Sequence, residues 1–215
     1  MQKLKVITSS CRNLKKENNM NYYISDLHFG HANVMKYDKR PFASIEEMDA
    51  EIIRRWNSVI TDKDTVYILG DISWYPNAET IAIFKQLKGH KILIKGNHDG
   101  NRLCRDKDFI KLFDKITDYE EITETHGGQP TLLVLSHYPI MFFKCQHRGA
   151  VHFYGHVHNS SDYDLVKKFK KEFEESYKAK GEDSNCCQMY NVGCMMDYMD
   201  YTPRTFEEII NAKIS

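Results

Sequence analysis

Tyr22-Tyr23-Ile24-Ser25-Asp26-Leu27-His28 is the stretch on which the reading of the fold turns. Its three apolar residues, with no polar alternation, read as a strand covered on both faces. Asp26 and His28 follow at a spacing of two, which in an extended segment points both side chains to the same side. Carboxylate and imidazole are metal-binding groups. A strand ending in such a pair suits an α/β sheet, where ligands gather outside the carboxyl ends of the strands.

The same form recurs along the chain. Val66-Tyr67-Ile68-Leu69 runs into Gly70-Asp71, and Ile92-Leu93-Ile94 into Lys95-Gly96-Asn97-His98-Asp99. Leu132-Leu133-Val134-Leu135 leads to Ser136-His137, and Val151-His152-Phe153-Tyr154 to Gly155-His156-Val157-His158. Helical patterns lie between these runs. Ser44-Ile45-Glu46-Glu47 has the form of a capping box, opening a helix with the apolar stripe Ile45, Met48, Ile52, Ile53, Trp56 and Ile60. A second helix is expected from Asn77 to Lys88, stopped by Gly89. Strands alternating with helices predict βαβ units. Beyond Thr117, Tyr119 to Thr125 and Thr131 to Leu135 flank the turn His126-Gly127-Gly128-Gln129 and predict a hairpin.

A chain of 215 residues predicts one domain with decorations. We place that domain at residues 20–215, with a helical insertion at 162–181 whose face carries Leu165, Phe169, Phe173 and Tyr177. Residues 1–19 read as an extension, either an added strand at Leu4 to Thr8 or sequence upstream of a start at Met20. No run approaches the roughly 20 apolar residues of a membrane span. Lys+Arg 30 against Asp+Glu 30 removes the main argument for a dedicated nucleic-acid binder. The six cysteines match no disulfide framework, so reduced thiols and a cytoplasmic location are expected.

Five strand ends bearing Asp, Asn or His point to one shared crevice. A mixed imidazole, carboxylate and amide set suits Mn, Fe or Zn better than Ca or Mg. Two such ions about 3.5–4 Å apart would clamp the attacking and leaving oxygens of a displacement.

Taken in order, the blocks Asp26-Leu27-His28, Gly70-Asp71, Gly96-Asn97-His98-Asp99, His137 and Gly155-His156-Val157-His158 resemble the calcineurin-like metallophosphoesterases, and small bacterial and phage-type members in particular. The resemblance implies a four-layer α/β fold, two packed mixed β-sheets flanked by helices. It also implies that two divalent metal ions are held: one by Asp26, His28 and His158, the other by Asn97, His137 and His156, with Asp71 bridging both. His98 would be the catalytic histidine, and a metal-bridging hydroxide would attack phosphorus. The second block reads Gly70-Asp71-Ile72-Ser73-Trp74-Tyr75-Pro76, without the Arg-Gly of the protein phosphatases in the superfamily.

Arg40, His31 and Asp99 are the candidate substrate contacts; the guanidinium fork of Arg40 matches phosphate oxygens. The expected activity is that of a phosphodiesterase or phosphatase on a small phosphoester or nucleotide, with no membrane partner. A nuclease acting on DNA or RNA is the second reading, less favoured on charge. A non-catalytic metal-binding scaffold is the third. The sequence leaves the oligomeric state open.

Overall fold

The apolar run at Tyr22 becomes β1 (Asn21–Ile24), the inner strand that sets the arrangement of everything around it. The structure is a computed structural model describing residues 19–100, 103–181 and 187–212. The extension expected at residues 1–19 lies almost wholly outside these. β1 pairs in parallel with β2 (Thr65–Ile68), β2 with β3 (His90–Ile94), and β3 with the short β4 (Lys115–Thr117). On its other side β1 takes β9 (Arg204–Thr205) in antiparallel register. A second sheet has the order β5 (Tyr119–His126), β6 (Gln129–Ser136), β7 (Val151–Tyr154), β8 (Gln188–Asn191). The predicted hairpin is β5 against β6, antiparallel, while β6, β7 and β8 run parallel. Both sheets are therefore mixed, and helices flank them.

Continuous hydrophobicity marked the inner strands for a physical reason. All four residues of β7 are buried, as are Val66, Tyr67 and Ile68 of β2. Tyr23 of β1 meets Phe153 of β7 edge-on at 5.0 Å, joining one sheet to the other. Backbone pairing also crosses between them, since Ser25 N donates to Val192 O at 2.9 Å.

Helix α1 (Ala32–Tyr37) follows the β1 loop, and α2 (Ile45–Val59) carries the predicted stripe. Met48, Ile52 and Trp56 are fully buried, each worth on the order of 1.5–3 kcal/mol of burial. The capping box is half formed. Ser44 accepts from Glu47 N as expected, but the Glu47 carboxylate reaches one residue further back, to Ala43 N at 2.7 Å. Helix α3 (Asn77–Phe84) stops earlier than its pattern suggested. Short helices α4 (Lys107–Ile110) and α6 (Phe206–Ile210) bracket the second sheet in sequence, with α5 (Ser161–Lys178) between them. On α5 the four-residue stripe is only partly a packing face. Tyr163 and Val166 are the buried residues, Phe169 and Phe173 pack partly, and Leu165 is exposed. Spacing identified the helix but not its rotation, which the side chains beneath it decide. Among the described residues no helix is long and apolar enough to cross a membrane.

Candidate metal centre

Every residue singled out as a candidate ligand lies just past the carboxyl end of a parallel strand. Asp26 and His28 follow β1, Asp71 follows β2, Asn97 follows β3, His137 follows β6, and His156 and His158 follow β7. The loops after β1 and β2 stay stitched together, with Asp26 N bonded to Gly70 O at 3.0 Å and His28 N to Asp71 O at 3.0 Å. The backbone there is not the extended one assumed from sequence. Asp26, His28, Asp71, His156 and His158 all have positive φ, between 48° and 70°. A side chain at positive φ is uncommon and strained outside glycine. Its concentration at these positions fits the rule that such strain gathers where function over-determines the backbone. Two glycines make room for the turns. A Cβ on Gly70, itself at φ +84°, would lie 2.6 Å from His137 Nδ1, and one on Gly96 would lie 2.6 Å from Asp71 N.

The side chains converge in two groups, Asp26, His28 and His158, and Asp71, His137 and His156. His28 Nε2 and His158 Nε2 face each other at 3.2 Å, with Asp26 Oδ1 3.6 Å from the latter. Asn97 Oδ1 completes the second group, 3.0 Å from His137 Nε2 and 2.9 Å from His156 Nδ1. Asp71 Oδ2 lies between the groups, 3.7 Å from His28 Nε2 and 3.5 Å from His137 Nε2.

Proton bookkeeping shows that these residues fit metal ions. His137 Nδ1 sits 2.7 Å from Leu69 O, an acceptor only, so Nδ1 carries the hydrogen and Nε2 of the neutral ring presents a lone pair. That lone pair faces Asn97 Oδ1, another acceptor. His158 repeats the pattern: Nδ1 meets Asp38 Oδ1 at 2.8 Å, leaving Nε2 directed toward His28 and Asp26. Acceptors converging on acceptors need a cation between them. Anchoring the far ring nitrogen on a carboxylate or carbonyl is how ligating histidines are oriented. Burial favours the neutral, coordinating form of His28 and His156, while His158 is pulled the other way. Burial, then the neighbouring His158, drives the His28 imidazole strongly toward its neutral form. Burial also lowers His156, and it pushes the Asp71 carboxyl up to about 6, reinforced by Asp26 and opposed by His137. Burial would lower His158 as well, but the Asp38 hydrogen bond and the Asp26 charge raise it.

The sequence-predicted substrate contacts fare differently. Arg40 does not face the crevice. Its guanidinium is buried behind the β1 loop, donating to Leu27 O at 2.9 Å, Asp26 O at 2.8 Å and Asp38 Oδ2 at 3.0 Å. A phosphate would have to displace all three acceptors, so Arg40 holds the ligand loop instead. Asp99 is likewise buried, accepting from Asp71 N at 2.9 Å, Ile72 N at 3.0 Å and Gly96 N at 2.8 Å. It ties the β2 loop to the β3 loop and has no free face for substrate. His31 does reach the rim, stacked on Trp74 at 4.1 Å and 7°. His98 is 40% exposed, its Nε2 3.9 Å from Asp71 Oδ2 and its backbone N donating to Asp71 Oδ1 at 2.9 Å.

Two contributors escaped the sequence reading. Asp38 orients His158, and its only sequence mark is its place two residues before Arg40. Asn191, at the end of β8, donates to His158 O at 2.9 Å and accepts from Gly193 N at 2.9 Å, shaping the His158 loop. The cavity of about 470 Å³ lined by Met20, Tyr22, Thr61 and Asp64 opens at the other ends of β1 and β2, away from these ligands.

Two mixed sheets with carboxylate, amide and imidazole donors gathered at their strand ends define a metal-binding α/β domain. Its residues 21–205 match the calcineurin-like phosphoesterase superfamily domain, and the chain belongs to that superfamily. It thereby carries the domain of a metal-dependent phosphoester hydrolase. Uncharacterized protein MJ1445 of Methanocaldococcus jannaschii is 48% identical over 80 residues, 36% of this chain and 46% of that protein, so the chain spans about half the length of this relative. The Gene 66 protein of Mycobacterium phage L5 is 29% identical over 160 residues, covering 64% of this chain and 77% of the phage protein. Among solved structures, the protein of unknown function AQ665 from Aquifex aeolicus aligns with a TM-score of 0.60 at 27% identity, over 89% of this chain and 97% of its own.

Proposed function

We propose that the chain hydrolyses phosphoesters at a pair of divalent ions and that small phosphodiesters, nucleotides among them, are its substrates. One observation carries the reading: the single carboxylate oxygen Asp71 Oδ2 stands within 3.9 Å of His28, His137 and the exposed His98. Asp26, His28 and His158 would hold one ion, Asn97, His137 and His156 the other, and Asp71 both. When bound, such a pair lowers the pKa of water toward neutrality, supplying hydroxide, and neutralises phosphoryl oxygens.

The chain's own part is positioning and proton transfer. Asp38 and Leu69 O hold His158 and His137 in the tautomers that leave Nε2 free to coordinate. His98, exposed beside Asp71, would meet the leaving oxygen. As the bond from phosphorus to the leaving group breaks, His98 Nε2 would hand a proton to the departing oxygen. Water then returns a proton to His98. Acid catalysis of this kind contributes about 10²–10⁴-fold.

The test is hydrolysis of bis(p-nitrophenyl) phosphate against p-nitrophenyl phosphate, after chelation and with Mn restored. Chelator-sensitive, Mn-restored cleavage that favours the diester is expected. Preference for the monoester would replace diesterase with phosphatase, and no cleavage of either after metal return would sink the reading.

A further inference from the structure

The backbone of His98 is fixed on both sides of its Cα. Its N–H donates to Asp71 Oδ1 at 2.9 Å, and its carbonyl accepts from Gly100 N at 2.9 Å. The ring is held differently. His137 and His158 tie Nδ1 to an acceptor at 2.7 and 2.8 Å, but among the described residues the His98 imidazole makes no hydrogen bond. The nearby Asp71 Oδ2 stands 3.9 Å from its Nε2, beyond hydrogen-bond reach. The ring also helps to line a cavity of about 260 Å³, so it has room to turn about its side-chain bonds.

What the ring leans on is Trp74. The two ring centroids are 4.5 Å apart at 57°, nearer than the 5.8 Å that separates His98 from the His28 ring. The indole is a firm support. Trp74 N is fixed by Phe29 O at 2.8 Å, and the His31 ring stacks on the indole at 4.1 Å and 7°. Both holds come from one pairing, because the loops after β1 and β2 are bridged in parallel at Phe29 and Ser73 and bring His31 and Trp74 together. Ser73 is pinned in turn, its Oγ 2.8 Å from Thr80 Oγ1 and accepting from Tyr75 N at 3.1 Å.

We propose that Trp74, backed by His31, is a positioning residue: its indole holds the His98 imidazole in the orientation that meets the leaving oxygen. The inference rests on the phosphoester-hydrolase reading above and adds to it a residue that transfers no proton itself. Packing does for His98 what the Leu69 and Asp38 acceptors do for His137 and His158. An imidazole without that support occupies the reactive orientation in a smaller fraction of molecules, so turnover falls while substrate binding is left alone.

The test joins kinetics to a measurement that needs no turnover. Diphenyl phosphate releases phenolate, a poor leaving group that depends on protonation. On this ester, with Mn restored, Trp74→Leu is expected to lose about 10–100-fold in kcat with KM changed less than about twofold. Bis(p-nitrophenyl) phosphate, with the better leaving group, should lose less. Trp74→Phe should restore most of the rate. Added to His98→Ala, Trp74→Leu should cost nothing further, because the two side chains act as one unit. On zinc-loaded protein, NMR relaxation of the histidine rings should show His98 ring order falling in Trp74→Leu and kept in Trp74→Phe. Unchanged ring order in Trp74→Leu, or an equal further loss when it is added to His98→Ala, would overturn the proposal. Should Trp74→Leu lose cooperative unfolding, His31→Ala removes the backing and keeps the indole. It is expected to show the same losses in smaller degree, and their absence would equally overturn the proposal. Failure of the unaltered protein to cleave either ester after metal return would remove the hydrolase reading, and the ring-order measurement would still decide whether Trp74 holds His98.

Discussion

Arg40 carries the group best suited to grip a phosphate, and the fold turns it inward. Two backbone carbonyls of the Asp26–Leu27 turn and the Asp38 carboxylate take up its donors, all out of solvent. Removing it leaves a buried carboxylate and two carbonyls unmatched, which for a broken buried pair costs about 3–5 kcal/mol. Arg40→Met should lose stability of that order in urea unfolding of the metal-free protein; a change below about 1 kcal/mol would contradict the clamp. Asp71 and His98 separate by a different measurement. Asp71→Asn should lower the occupancy of both ions by elemental analysis, whereas His98→Ala should keep both and lose turnover about 10²-fold or more. A His98→Ala protein stripped of metal would show that His98 is a ligand instead. The candidate ligands were legible in sequence because each follows an apolar run at short range. Asp38 was not, since what identifies it is a 2.8 Å contact with His158, 120 positions away.

At the scale of the element, β7 shows how a strand that was easy to find hides a titratable group. His152 is fully buried, its Nδ1 at 3.0 Å from Val134 O and its Nε2 accepting from Ile140 N at 3.0 Å. Burial drives its pKa down to about 4, against about 6.5 for the exposed chain. Because the folded value is the lower, the unfolded chain takes the proton first. The neutral ring's contribution is therefore whole above pH 6.5 and is lost as pH falls toward 4, a change of about 3 kcal/mol. Unfolding free energies of the metal-free protein and His152→Gln, measured from pH 7 to 4.5, should diverge in slope over that range. Parallel curves would refute the assignment. Elements read poorly where their signal was short or shared. β4 and β9 are too brief to show a period, and the rotation of α5 depends on Phe142, which packs on Phe169 at 5.5 Å. The central strands read well because burial on both faces leaves no polar position to confuse them.

Across the whole molecule, neither candidate ligand group is drawn from one sheet alone. Asp26 and His28 come from the first sheet and His158 from the second; Asn97 comes from the first and His137 and His156 from the second. Apart from the ligands, the sheets are joined by apolar contacts such as Tyr23 on Phe153 and by the Ser25–Val192 backbone bond. Metal binding should therefore act as a staple across the interface and raise global stability, not merely order a loop. An ion at 100 times its Kd adds about 2.7 kcal/mol if the unfolded chain does not bind it. Two such sites give about 5 kcal/mol, and for a chain of this size each kcal/mol moves Tm by roughly 2–4 °C. Saturating Mn should thus raise Tm by about 10–20 °C over chelated protein, as one cooperative transition in calorimetry. Asp71→Asn, which weakens both sites, should lose most of that increment, and His98→Ala should keep it. If metal left the main transition in place and sharpened only a minor one, the candidate ligands would belong to a locally ordered loop cluster, and the two sheets would be held together without metal, by their apolar contacts and hydrogen bonds such as Ser25–Val192.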